Sequence, residues 1–128
     1  MQVDILFTAE PISPAIAPLE EDNGQYGSFV EFRGVVRGEE QGASIAGLRY
    51  EIYESMAEKQ LRSIIEELSA AHRCRTLRLI HRMGDILVGE TAIYIGITSR
   101  HREEGFSMLS ALMLRLKQDV PIWKVAAI

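Results

Sequence analysis

The sequence contains one cysteine, Cys74, which rules out an intramolecular disulfide and a zinc site built from several thiolates. A half-buried structural thiol in a reducing compartment is the expectation for it. Basic residues are also scarce: 14 Lys and Arg stand against 18 Asp and Glu, for a net charge of −4. That balance argues against a general nucleic-acid binder, which needs a basic footprint to neutralise phosphates, so any anion site must be local. No stretch approaches the ~18 apolar residues of a membrane span. The apolar run after Met1 is broken by Asp4 and is too short for a secretory leader, so a soluble cytoplasmic protein is expected. The three histidines are scattered without a carboxylate spacing, and no serine sits in a nucleophile elbow, so neither a metal centre nor hydrolase chemistry is expected.

What the chain does have is 128 residues, 47% of them hydrophobic and 25% charged. These values fit a single globular domain over residues 1–128, large enough for a core and of a size at which oligomers are common. Residues 3–8 alternate as a first strand, and Ser13-Pro14 then offers a cap followed by proline, predicting a short helix into Ile16 and Leu19. Residues 20–27, acidic and glycine-containing, read as a loop, and 28–37 as a strand rich in Phe and Val. Residues 38–47 carry three glycines and read as a flexible loop.

Leu48, Tyr50 and Ile52 fall two apart and mark one face of a strand over 48–53. The period then changes: Met56, Leu61, Ile64, Ile65, Leu68 and Ala71 predict an amphipathic helix over 55–72. Residues 76–82 and 86–98 read as two strands with a turn at Met83-Gly84-Asp85. A last helix follows Ser99, with Phe106, Leu109, Met113, Leu116 and Val120 as its apolar stripe until Pro121 ends it. The order implies an α+β fold, a largely antiparallel sheet packed with helices, rather than a βαβ series.

Candidate chemistry gathers at four places. Ser99-Arg100-His101-Arg102-Glu103-Glu104 lies where a strand hands over to a helix, so backbone N–H groups and basic side chains converge on an anion site, unless Ser99 merely caps a solvated first turn. Lys117 shares the face of Phe106 and the apolar stripe, which either desolvates its ammonium or lets its stem snorkel past the stripe's edge. Pro121-Ile122-Trp123-Lys124 is a proline-fixed turn that anchors Trp123 in apolar surroundings and aims Lys124 back past the helix end. Val35-Val36-Arg37 precedes the glycine-rich loop, where the guanidinium either binds phosphate in bidentate fashion or faces water. His72 and His81 read as structural.

Five segments in order resemble the molybdopterin synthase catalytic (large) subunit family. They are Phe32-Arg33-Gly34-Val35-Val36-Arg37, Leu48-Arg49-Tyr50-Glu51-Ile52-Tyr53, His81-Arg82-Met83-Gly84-Asp85 through Val88-Gly89-Glu90, Ser99-Arg100-His101-Arg102, and Pro121-Ile122-Trp123-Lys124. The resemblance implies an α/β hammerhead-type fold and a homodimer with one small ubiquitin-like sulfur carrier docked at each end, making a heterotetramer. It also implies a sulfurtransferase of molybdenum cofactor biosynthesis: the carrier's C-terminal Gly-Gly thiocarboxylate gives sulfur to cyclic pyranopterin monophosphate, forming the molybdopterin dithiolene. No cofactor and no metal are implied.

By the same resemblance, Arg37 with the backbone of Val35 and Val36, together with His101 and Arg102, are pterin- and phosphate-binding positions. Lys117 matches the principal catalytic lysine and Lys124 the second essential lysine, both also touching substrate. The chain departs from the family pattern at three places. Gly38 stands where asparagine is common, Val125-Ala126 replace a usual charged pair, and Ile128 stands where members usually continue into a polar, tryptophan-containing tail. A noncatalytic homologue that still docks the carrier or a phosphorylated ligand is the alternative; a structural dimer with coincidental basic residues is a third class.

Overall fold

Leu77 and Leu79 lie two apart on one strand, and Ile93, Ile95 and Ile97 on its neighbour, so strand periodicity puts all five on one face. The computed structural model of the chain describes residues 1–19 and 24–128. Its larger sheet contains β1 (Gln2–Thr8), β2 (Ser28–Val35), β6 (Thr76–Arg82) and β8 (Thr91–Ser99), in the order β1-β6-β8-β2. Pairing is antiparallel except between β1 and β6, which run parallel.

Two helices cover the apolar face of this sheet. The first, α1 (Glu54–Ser69), buries Ala57, Leu61, Ile64 and Ile65; the second, α2 (Arg102–Asp119), buries Gly105, Met108, Leu112 and Leu116. Leu61, Leu77, Leu79, Ile95, Ile97, Met108 and Leu112 are among the fully enclosed side chains. Enclosing a side chain of this kind contributes about 1.5–3 kcal/mol. A smaller antiparallel sheet, β7 (Gly84–Leu87), β5 (Gly47–Ile52) and β9 (Ile122–Ala127) in the order β7-β5-β9, stands beside the first. Val36, Leu48, Ile86 and Ala92 form its own apolar cluster. Among the described residues no helix is long and apolar enough to cross a membrane.

Several sequence expectations change in detail. The short helix expected after Ser13-Pro14 is absent. Pro18 withholds an amide donor and disfavours helical geometry at Ala17. The Ala15 N–H donates to Ser13 Oγ at 3.3 Å, and the Arg33 guanidinium takes the Ser13 and Pro14 carbonyls while Arg78 takes that of Ala17. The carbonyls a helix would use are therefore engaged by the polar face of the sheet. Of the loop expected over 20–27, residues 20–23 lie outside the described residues.

The single strand expected over 86–98 is two, because β7 and β8 belong to different sheets and a tight turn with Gly89 at φ 89° separates them. Met83-Gly84, expected as a simple turn, is the crossing point from the large sheet to the small one, with Gly84 at φ 83°. The loop expected over 38–47 contains a hairpin, β3 (Glu39–Glu40) and β4 (Ala43–Ser44), closed by Gln41 at φ 51° and Gly42 at φ 81°. Successive positive φ angles are what a tight two-residue hairpin turn requires.

The stripe of α2 is also rotated from the expected one. Phe106 is 57% exposed, and Gly105 lies against the sheet instead. An added Cβ at Gly105 would stand 3.0 Å from Val30 Cγ2 and 3.2 Å from Ser99 Oγ. The helix thus rests on its glycine, and this seating turns Met108, Leu112 and Leu116 inward.

Candidate functional site

The two sheets and the C-terminal end of α2 enclose a cleft of about 330 Å³. Phe32, Gly34, Val35, Val36 and Arg37 line one side, Leu48 and Tyr50 of β5 with Ile122 and Lys124 of β9 another, and Met113, Leu116 and Lys117 of α2 a third. His81, Ala92, Ile93 and Glu40 complete it. Five residues picked out from sequence therefore meet in one place: Val35, Val36, Arg37, Lys117 and Lys124.

Local geometry explains each position. The register of β2 against β8 shifts between Gly34 and Val35, so the chain leaves the ladder there. Buried Val36 then anchors the segment: its N–H donates to the Glu90 carbonyl at 3.0 Å, and its carbonyl accepts from the Gly89 N–H at 2.9 Å. Val35 and Arg37 on either side are exposed. Lys117 lies in the last turn of α2, where a cation complements the helix dipole. The helix stops at Val120, whose backbone is extended (φ −107°, ψ 134°), and Pro121 follows.

Three residues later Lys124 faces Tyr50 across the β5–β9 ladder, and its Nζ lies 3.4 Å from Glu40 Oε1 on the hairpin. Lys117 is exposed at the cleft rim, which fits the snorkelling alternative and not a desolvated ammonium. Trp123 is corrected too: it points away from the core, 45% exposed, and packs edge-on against Tyr53 with ring centroids 4.9 Å apart.

His101 and Arg102 are elsewhere. They occupy the opposite end of α2, exposed, with His101 at the cap position. Fifteen residues separate Arg102 from Lys117, and at 1.5 Å per residue the helix holds them roughly 22 Å apart. Ser99 does not cap this helix: fully buried, it donates through Oγ to the His101 carbonyl at 2.6 Å. Cys74 is half-buried near this end, its thiol donating to the Glu104 carbonyl at 3.6 Å, and burial followed by the Glu104 charge pushes its pKa up to about 11.

Glu40, Tyr50 and His81 also line the cleft, though none was expected at the site and His81 read as structural. Burial, with the Glu40 charge adding to it, raises the Tyr50 hydroxyl above its ordinary value. His81 is 4% exposed, and burial lowers its pKa against the opposing effect of a hydrogen bond to the Arg82 carbonyl at 2.8 Å. Tyr50 and His81 stand in segments that carry the family resemblance but received no site role there; their strands' inner faces converge on the cleft, a signal that needed the pairing of β5 with β9. Glu40 gave no signal, because the hairpin that carries it read as loop.

The cleft thus sets Arg37, Lys117 and Lys124 around an apolar wall with Glu40 as its carboxylate. Such an arrangement suits a ligand that bears negative charge and some apolar surface. Among the described residues no group of three or more His, Cys, Asp or Glu is arranged to hold a metal ion.

The family model described as "MoaE protein" matches residues 7–119. The molybdopterin synthase catalytic subunit of Escherichia coli is 34% identical over 111 residues, 87% of this chain and 71% of that protein. The protein of the same description from rice (Oryza sativa subsp. indica) is 34% identical over 98 residues, 77% of this chain but 51% of its own length, so the chain spans about half of that relative. A molybdopterin synthase crystal structure from Staphylococcus aureus superposes with a TM-score of 0.81 at 29% identity, covering 97% of this chain and 93% of that one. A Helicobacter pylori complex of subunits 1 and 2 of molybdopterin-converting factor shares the fold, with a TM-score of 0.68 at 21% identity over 95% and 82% of the two chains.

Proposed function

The chain belongs to the MoaE family, that of the molybdopterin synthase catalytic subunits, and from this premise we propose that it is a cytoplasmic sulfurtransferase of molybdenum cofactor biosynthesis. Residues 1–128 act as one large-subunit-like domain. The substrate is cyclic pyranopterin monophosphate, and the sulfur donor is the C-terminal Gly-Gly thiocarboxylate of a small ubiquitin-like carrier. Two sulfurs are added stepwise to adjacent side-chain carbons, the cyclic phosphate opens, and each carrier leaves as its carboxylate after hydrolysis by water.

The observation that carries this reading is the convergence of Arg37, Lys117 and Lys124 on a single half-apolar cleft. Arg37 is suited to phosphate by its planar fork of donors, with the backbone of Val35 and Val36 beside it. Lys117 and Lys124 are suited to stabilising developing negative charge and to supplying protons as the carrier's carboxylate departs. Glycine, with no side chain to clash, lets the carrier's tail thread between them. Exposed Trp123 and Val125 on β9 and Leu87 on β7 offer apolar surface on the small sheet for the body of the carrier.

His101 and Arg102 belong to the same phosphate-binding set in this reading, supplied by a second copy of the chain. One copy cannot bring them to Lys117, since α2 itself holds the two ends roughly 22 Å apart. A homodimer within a heterotetramer meets that requirement. The test is to mix the chain with thiocarboxylated carrier and cyclic pyranopterin monophosphate and to follow molybdopterin. Product supports the reading; carrier binding without product moves the chain to the noncatalytic binding module.

A further inference from the structure

We infer that His81 is a further substrate-contacting residue of this cleft, a neutral hydrogen-bond acceptor that takes a ring N–H or hydroxyl of the bound pterin through Nε2. The inference rests on the reading of the cleft as the pterin site.

The tautomer follows from the backbone. Nδ1 lies 2.8 Å from the Arg82 carbonyl oxygen, and a carbonyl only accepts, so Nδ1 carries the proton. In a neutral imidazole the other nitrogen, Nε2, then keeps its lone pair. Nε2 has no hydrogen-bond partner among the described residues, and His81 is one of the residues lining the cleft. The ring is held in place by Tyr50, which packs edge-on with centroids 5.1 Å apart at 60°. Strand pairing fixes its base, with Ile93 opposite on β8 and Phe7 opposite on β1.

Burial favours the neutral form, and the cleft around the ring holds more cations than anions. Arg37, Lys117 and Lys124 line the same cleft, and Arg82, the next residue, is paired with Glu90 at 3.3 Å. Only Glu40 among the cleft residues opposes them, and its carboxylate is engaged with Lys124.

Complementarity supplies the rest. Arg37, Lys117 and Lys124 are donors without acceptors, which suits phosphate and carboxylate but leaves the N–H and O–H groups of a pterin unmatched. A buried donor without a partner is costly, so the site needs a free acceptor beside its apolar wall. Tyr50 offers a hydroxyl, and His81 offers the unengaged lone pair of a rigidly held ring.

His81→Asn keeps an amide donor near the Nδ1 position and removes the cleft-facing acceptor, whereas His81→Gln reaches toward the Nε2 position with an amide oxygen. In single turnover with thiocarboxylated carrier and cyclic pyranopterin monophosphate, His81→Asn is expected to raise the substrate concentration for half-maximal rate roughly tenfold, the size of one lost neutral hydrogen bond. His81→Gln is expected to recover most of that loss. The acidic limb of the substrate affinity, present in the parent because protonated His81 cannot accept, should be absent in both variants. Thermal melts and carrier binding identify any variant that fails to fold; if His81→Asn does, the pH profile of His81→Gln decides. A folded variant with parental affinity and an unchanged acidic limb overturns the role of His81. An inactive parent overturns the reading of the cleft instead.

Discussion

Replacing Gly47 with alanine tests how the small sheet is seated against the cleft. A Cβ on Gly47 would stand 2.5 Å from the Ile86 carbonyl oxygen, 3.1 Å from Leu87 Cα and 3.2 Å from the Ile86 carbonyl carbon. All three are backbone atoms of β7, so no side-chain rotation relieves the contact. β5 and β7 must separate where Gly47 pairs with Leu87 and Leu48 with Ile86. Overpacking of this kind costs about 1–3 kcal/mol. An unfolding entropy of about 2.1 cal/mol/K per residue, taken over 128 residues, converts this to a fall in Tm of about 4–11 °C.

The same strain reaches the chemistry. The Ile128 N–H donates to the Gly47 carbonyl at 2.9 Å, and β9 carries Lys124 opposite Tyr50. Sulfur transfer should therefore fall even at temperatures where the variant is fully folded. Gly42→Ala is the control: nothing lies within 4 Å of its added Cβ, though φ is 81°. Left-handed strain there costs about 1–2 kcal/mol and bears on the hairpin that carries Glu40, not on the contact between β5 and β7. Thermal melting read alongside single-turnover rates separates the two. A Gly47→Ala protein that melts with the parent and turns over at the parental rate would refute the close packing of β5 on β7.

Cys74 should behave as an inert thiol. A pKa moved from 9.0 to about 11 lowers its thiolate fraction near neutral pH about hundredfold, so iodoacetamide labelling at pH 8 should lag far behind that of a small free thiol; labelling at the free rate would contradict this burial. Stability should also fall on mild acidification. The folded chain holds His81 unprotonated below its ordinary pKa of 6.5 while the unfolded chain takes up the proton, so the stabilisation is complete above 6.5 and declines as pH falls toward the depressed folded value. Denaturant midpoints measured across that window should show a slope in the parent that is lost in His81→Gln.

Periodicity made most of the fold legible. The alternation of residues 76–82 and the three- and four-residue spacing along α1 translate directly into β6 and a buried helix face. The misses come from effects that periodicity does not carry. Ser13-Pro14 has the right residues for a helix start, but Arg33 on the sheet claims the carbonyls of both and Arg78 that of Ala17. The seating of α2 turned on the close approach of Gly105 to Val30 rather than on the count of apolar residues. At the site, motif order brought Arg37, Lys117 and Lys124 forward, and they share a cleft. Glu40 was missed because it sits in a hairpin too short to leave a pattern, and His81 read as structural because it occupies an inward position of an alternating strand.

The most direct test of the central claim is single-turnover conversion of cyclic pyranopterin monophosphate by the parent and by Lys117→Ala. Lys117 is exposed at the cleft rim, so its truncation leaves the core intact. Molybdopterin is expected from the parent, and a rate lower by about 100-fold or more in the variant, as follows from loss of a group that stabilises charge or moves a proton in the transition state. Equal rates in the two proteins, with carrier bound equally well, would contradict that claim.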